Sequence, residues 1–155
     1  AAGENLSLAF HKDYGLPLTI IRPFNHTGKG QTDAFLIGKL VKAFKNKEKE
    51  ISVGNMNVIR DFLDVRDVVK AYSMLGIDFQ DGDIFNLASG KAVCFQEIFQ
   101  DLEEITHQKI KINQNLDFMR KNDIEYTVGS FEKIKQKLNW SPSYSMKETL
   151  SWMLE

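Results

Sequence analysis

The sequence predicts an α/β fold. Apolar runs rich in β-branched residues alternate along the chain with stretches whose apolar residues recur at helical spacing. No internal repeat, low-complexity segment or long linker interrupts the alternation. No single region, however, spells out a complete doubly wound sheet.

The elements run in order from the first residue. "AAGENLSLAFHKDYG" opens inside a helical pattern with no initiator Met, as in a piece of something longer. Ala2, Leu6, Ala9 and Phe10 share one face, and Gly15 with Pro17 ends the helix. "LTIIRPF" is a continuous apolar run, expected to be a buried strand. After the loop "NHTGKGQ", Thr32 or Asp33 can cap a helix whose core face is Ile37, Leu40, Val41 and Phe44. "KNKEKE" is read as a solvated helix end and turn. "EISVG" and "VIRDFLDV" read as strands, and Asp64 with Asp67 can cap the helix "VRDVVKAYSML". "GDIFNLASG" is a strand and loop, followed by an amphipathic helix through Phe95, Ile98, Phe99, Leu102 and Ile105. "KIKIN" and "EYTVG" are two further strands. "SFEKIKQKLNW" and "SMKETLSWMLE" are closing helices, the last with a Ser145/Glu148 capping box.

Composition removes several functional classes. Of 155 residues, 43% are hydrophobic and 26% charged, enough apolar chain to bury a core and too much for a disordered segment. A net charge of -1 offers no general attraction to nucleic acid or an anionic membrane. One cysteine, Cys94, allows no internal disulfide and fits a reducing, cytoplasmic compartment. At a helix start it suits a small buried or capping role, with a thiol of lowered pKa the alternative. His11 and His107 fall near helix ends, and no Cys/His cluster has metal-ligand spacing. No P-loop, G-x-S-x-G or G-x-G-x-x-G occurs, and "GKG" alone carries little.

Three features stand out chemically. Asn25, His26, Thr27 and Gly28 come directly after a buried strand, at the sheet edge where open α/β folds bind ligands. "IRDFLDVRD" holds Arg60 and Arg66 between apolar residues, where a guanidinium needs an anion. "FMRKND" places Arg120 after another apolar pair. Each arginine alone fits a structural ion pair; two with an asparagine amide fit a diphosphate.

"RPFNHTGKGQ", "ISVGN", "IRDFLDVRDVVKAY", "IFNLASG" and "YTVGSFEKIKQKLNWSPSYSMKETL" occur in the order seen in nucleotide-sugar epimerases and dehydratases. The whole chain thus resembles the extended short-chain dehydrogenases/reductases of the NAD-dependent epimerase/dehydratase family. The Asn-His pair and the "RDF-DVRD" wording are most similar to the GDP-mannose 4,6-dehydratase and GDP-4-dehydro-6-deoxy-mannose reductase branch. The resemblance implies the C-terminal half of a Rossmann-like enzyme. Residues 1–31 would be the end of the catalytic helix, a Rossmann-sheet strand and the substrate loop. Residues 32–155 would be mostly the small mixed α/β substrate domain, with short returns to the Rossmann half. The glycine-rich cofactor turn and the Tyr-x-x-x-Lys pair would lie upstream, since "AAGE" resembles the residues immediately after the catalytic Lys.

By that resemblance Pro23 and Phe24 meet the nicotinamide end of a bound NAD or NADP. Asn25, Arg60 and Arg120 contact the sugar-nucleotide diphosphate; Val53, Gly54 and Asn55 line the nucleoside pocket; His26 and Arg66 lie near the sugar. Lys29 departs from the usual proline of "GPGQ", and Ser130 stands where "GD" is common. The implied chemistry is hydride transfer at sugar C4, inactive in this chain alone, with a GDP-mannose-type substrate or alternatively a UDP- or dTDP-sugar. A non-catalytic nucleotide-sugar-binding module is the alternative of another class. Helices at the position of residues 1–14 commonly pair in a homodimer in this family, and Leu6, Leu8 and Phe10 supply apolar surface for it.

Overall fold

A computed structural model describes residues 2–118 and 123–155. Among these residues six α-helices and nine short strands alternate, as the sequence predicts. The helices are α1 (Ala2–Tyr14), α2 (Leu36–Lys45), α3 (Val65–Ile77), α4 (Phe95–Thr106), α5 (Glu132–Leu138) and α6 (Met146–Leu154). The strands are β1 (Ile20–Pro23), β2 (Asn25–Thr27), β3 (Glu50–Val53), β4 (Ile59–Arg60), β5 (Phe62–Asp64), β6 (Ile84–Leu87), β7 (Val93–Cys94), β8 (Lys111–Gln114) and β9 (Tyr126–Thr127).

Three pairs are parallel: β1 with β6, β2 with β5, and β3 with β8. A fourth group is mixed, with β4 antiparallel to β7 and parallel to β9. Two cores hold these layers. One gathers α2, α4 and α6 over β3, through Leu40, Phe44, Phe99, Leu102 and Leu150. The other packs α3 and α5 on β5 and β6, through Leu63, Ala71, Phe85, Leu87 and Trp140. The four residues expected on the core face of α2 are all buried.

The structure departs from the expectations in several places. β1 buries only Ile20 fully, because among the described residues β6 is its sole neighbour and its other edge is open. α1 forms where expected but contributes no buried residue. "VIRDFLDV" is not one strand: Asp61 separates β4 from β5, which belong to different sheets. The capping of α2 also differs, since the Thr32 carbonyl accepts the Phe35 N–H in a turn and helix proper begins at Leu36. Asp64 does cap α3, accepting from the Arg66 N–H at 2.8 Å. Asp67 instead accepts from the Ser143 and Tyr144 N–H groups, tying α3 to the segment before α6.

Candidate functional site

The break at Asp61 is what builds the site. Its side chain is wholly buried and accepts three backbone N–H groups, from Ser89 at 2.7 Å, Gly90 at 3.0 Å and Gly129 at 3.1 Å. Three charge-assisted bonds satisfy this carboxylate without a basic side chain. They pin the loop after β6 and the segment after β9 to the β4–β5 junction. The Asp61 carbonyl in turn accepts from Asn25 Nδ2 at 3.3 Å. One residue therefore orders the walls on which Asn25, Arg60 and Phe62 stand.

Those walls enclose an open cleft of about 960 Å³. Its lining includes Pro23, Phe24, Asn25 and His26 from the β1–β2 edge, Gly54 and Asn55 after β3, and Arg60 of β4. Seven residues thus face one space: Asn25, His26 and Arg60, marked by their chemistry, and Pro23, Phe24, Gly54 and Asn55, marked by the family resemblance. Val53 does not line it; it is buried in the α2–α4–α6 core directly behind Gly54. Arg66 does not line it either. Its guanidinium binds both oxygens of Asp64, at 2.9 and 2.7 Å, and lies between the rings of Tyr144 and Trp152, 3.7 and 4.0 Å from their centroids. Arg120 lies outside the described residues.

The loop that leaves β2 is closed by its own side chains. Thr27 Oγ1 donates to Gln31 Oε1 at 2.6 Å, and Gln31 Nε2 donates to the His26 carbonyl at 3.2 Å. Gly28 is required for packing, because a Cβ there would stand 2.4 Å from Val65 Cγ1. Gly54 is constrained likewise: a Cβ would approach the Phe118 carbonyl oxygen to 2.6 Å. Phe118 and Phe35, both exposed aromatics, line the mouth of the cleft, and Lys39 Nζ sits 4.9 Å above the Phe118 ring.

Both described arginines that line the cleft have carboxylate partners. Arg60 Nη2 donates to Asp123 Oδ1 at 2.8 Å, and its Nη1 donates to the Ile59 carbonyl. Arg22 donates to both oxygens of Glu4, at 2.8 and 2.6 Å. The Arg22 hydrogen bonds hold the Glu4 carboxyl below its ordinary range, and Glu4 raises Arg22 in return. Asp64, beneath Arg66, is pushed up by burial. The hydrogen bonds from the Arg66 side chain, its N–H and Thr149 outweigh that, and the net shift is downward.

Arg22, Gln31, Asn86, Phe35, Phe118 and Asp123 also line the cleft, and sequence chemistry does not single them out. Arg22 and Gln31 bracket the "RPFNHTGKGQ" motif, and that placement is the signal that marks them. The two phenylalanines sit in connecting segments with no periodicity to mark them.

Chemically, the cleft presents a guanidinium fork, an asparagine amide and an imidazole near one another, with aromatic faces at its mouth. That set suits an anionic ligand carrying hydroxyls and a planar group. Among the described residues no three His, Cys, Asp or Glu side chains are grouped to hold a metal ion. No described helix is long and apolar enough to cross a membrane. Pro23 and Phe24 present apolar surface to the cleft, and the 155 residues contain no glycine-rich phosphate turn of the kind that holds a dinucleotide.

The chain is similar to known proteins over nearly its whole length. The profile of the GDP-mannose 4,6 dehydratase family matches residues 1–153. GDP-6-deoxy-D-mannose reductase of Pseudomonas aeruginosa is 30% identical over 99% of the chain and 52% of its own length. GDP-6-deoxy-D-talose 4-dehydrogenase of Aggregatibacter actinomycetemcomitans is 36% identical over 76% of the chain and 40% of its own length. Among solved structures, RMD from Pseudomonas aeruginosa complexed with NADPH superposes with a TM-score of 0.91 at 30% identity, covering 99% of this chain and 52% of that one. UDP-glucose 4-epimerase of Thermotoga maritima, with UDP-glucose, gives 0.90 at 25% identity, covering 99% and 50%. The chain spans about half the length of the relatives it matches. With an α/β fold, a cleft built on the "RPFNH" edge and a family match over nearly all its residues, the chain belongs to the GDP-mannose 4,6 dehydratase family of extended short-chain dehydrogenases/reductases.

Proposed function

We propose that this chain is the substrate-binding half of an NAD(P)-dependent nucleotide-sugar dehydratase or reductase of the GDP-mannose type. One observation carries the reading: a single cleft gathers Pro23, Phe24, Asn25, His26, Gly54, Asn55 and Arg60 from separate strands and loops. Asn25 and Arg60 supply the donors for a diphosphate, with Arg120 as the second guanidinium. The backbone at Gly54 and Asn55, backed by Val53, forms the wall beside the nucleoside. His26 reaches toward the sugar; Arg66, held in its aromatic stack, acts on the site only through the helix it starts.

When bound, NAD or NADP supplies hydride acceptance or donation at sugar C4. Pro23 and Phe24 would hold its nicotinamide end, excluding water from that side of the cleft. The residues of this chain bind and orient the sugar nucleotide; proton transfer belongs to a Tyr-x-x-x-Lys pair on the helix turn ahead of Ala1. Residues 1–31 complete the Rossmann half and residues 32–155 form most of the substrate domain. The assembled enzyme works in the cytoplasm as a homodimer or higher homo-oligomer.

Titration calorimetry tests the binding reading. The chain should saturate with GDP-mannose and bind GDP through the same residues, with UDP-glucose weaker. If no sugar nucleotide saturates, the reading fails; if UDP-glucose binds tighter, the substrate is of the UDP class. If the sugar nucleotide binds but no hydride transfer occurs when the chain is joined to a dinucleotide-binding half, it is a non-catalytic binding module.

A further inference from the structure

α1 forms one side of the molecule without burying a single residue. Its inner face is only half-buried, at Glu4, Ser7, Leu8 and His11, and two polar contacts fasten it there. At the first turn Glu4 takes both fork donors of Arg22, at 2.8 and 2.6 Å. At the last turn His11 Nδ1 lies 2.8 Å from the Leu16 carbonyl and 3.5 Å from Asp81. The two points are seven residues apart, about 10 Å along a helix.

The first fastening differs from the second in what it reaches. Arg22 lies in β1, in register with Asn86 of β6, and both line the cleft. Pro23 and Phe24 come immediately after it, and the Phe24 N–H donates to the Leu87 carbonyl at 2.8 Å. A planar fork on a carboxylate fixes distance and rotation together, whereas a single-point contact leaves a helix free to roll about its axis. The N-terminal turn of α1 is therefore locked to the cleft floor in both respects.

We propose that Glu4 and Arg22 are positioning residues: their ion pair sets the pitch and rotation of α1 so that groups carried at its N-terminal end face the cleft. This rests on the reading above, in which the acid–base Tyr and Lys stand on the turns just ahead of Ala1. The pair would act on catalysis without touching the sugar nucleotide.

The test is steady-state and single-turnover kinetics of the enzyme that joins this chain to its dinucleotide-binding half, with hydrogen exchange on α1. Glu4→Gln should lower kcat on the order of 10- to 100-fold, the scale of a misplaced catalytic group, and leave the KM for sugar nucleotide within about twofold. Amides of α1 should exchange faster in that variant. Arg22→Lys, which keeps the charge and loses the fork, should behave like Glu4→Gln. The exchanged pair Glu4→Arg with Arg22→Glu should recover most of kcat. An unchanged kcat in Glu4→Gln, or a loss that merely tracks a lower folded fraction, overturns the proposal while leaving the enzyme reading intact. A wild-type enzyme with no turnover removes the enzyme reading, and this proposal with it.

Discussion

Arg60 and Arg66 stand six residues apart, and their surroundings set opposite expectations for them. Arg60 faces the cleft and, among the described side chains, shares its charge with Asp123 alone. Arg60→Ala should weaken nucleoside diphosphate binding by about 2–4 kcal/mol, the range for removing one partner of a desolvated charge pair. Calorimetry with GDP measures it; a Kd within twofold of wild type, with lowered stability, would make Arg60 a structural partner of Asp123. Arg66 sits away from the cleft over a buried carboxylate. Arg66→Ala should lower Tm and leave GDP affinity unchanged. It also has a pH signature. Because the folded Asp64 carboxyl lies below the ordinary 3.8, its stabilising contribution is complete above that value and is lost as pH falls through the lowered one. Removing Arg66 should move the acid-unfolding midpoint upward, a shift that circular dichroism against pH would track.

At the scale of elements, α2 reverses a common rule. Glycine to alanine inside a helix ordinarily stabilises by up to about 1 kcal/mol. Gly38 is pressed against the preceding turn, where a Cβ would stand 2.2 Å from the Thr32 carbonyl oxygen. Gly38→Ala should therefore destabilise, by about 1–3 kcal/mol as in overpacked sites, read from urea unfolding. The same close approach explains why α2 starts later than the cap chemistry of Thr32 and Asp33 suggests. Thr32 is held in a turn by its own carbonyl, and Asp33 pairs with Lys42. Elements with a strong apolar period, such as α2 itself and α4, are legible in the sequence because burial enforces the period. The split of "VIRDFLDV" is not, because it depends on N–H groups of Ser89, Gly90 and Gly129, which no local pattern around Asp61 reveals. The exposure of β1 is hidden for a related reason: an apolar run reports that a strand can be buried, not what covers it. In the site, Asn25, His26 and Arg60 are marked by residue chemistry and Pro23, Phe24, Gly54 and Asn55 by the family resemblance, whereas Asp123, Phe35 and Phe118 enter the cleft only through tertiary placement.

At the scale of the molecule, uncovered apolar side chains run along α1 and its exit, as Val69, Tyr72, Ile77 and Phe79 do along α3 and its exit. Leu6, Phe10, Tyr14 and Leu16 are all exposed, and Phe10 stacks on Tyr14 at 5.3 Å. The first three lie at i, i+4 and i+8, a single stripe along α1. The 155-residue chain should therefore self-associate, and sedimentation velocity over a concentration series should show more than a monomer. A single monomeric species to high micromolar concentration would show that this stripe does not pair. The chain by itself should also fail to turn over GDP- or UDP-sugars, and any measurable turnover would contradict the proposal that it is the substrate-binding half.

Asp61 has a kinetic consequence. Its three hydrogen bonds close loops of 28, 29 and 68 residues. Long loops close late, after the local helices have formed, because their entropy is recovered only when the contacts they bring together are made. The cleft is thus among the last parts of the chain to appear during refolding. In a stopped-flow experiment, fluorescence from helix packing should rise first. Binding of a fluorescent nucleotide should come in the slowest phase, so that ligand capture counts only molecules that have finished folding.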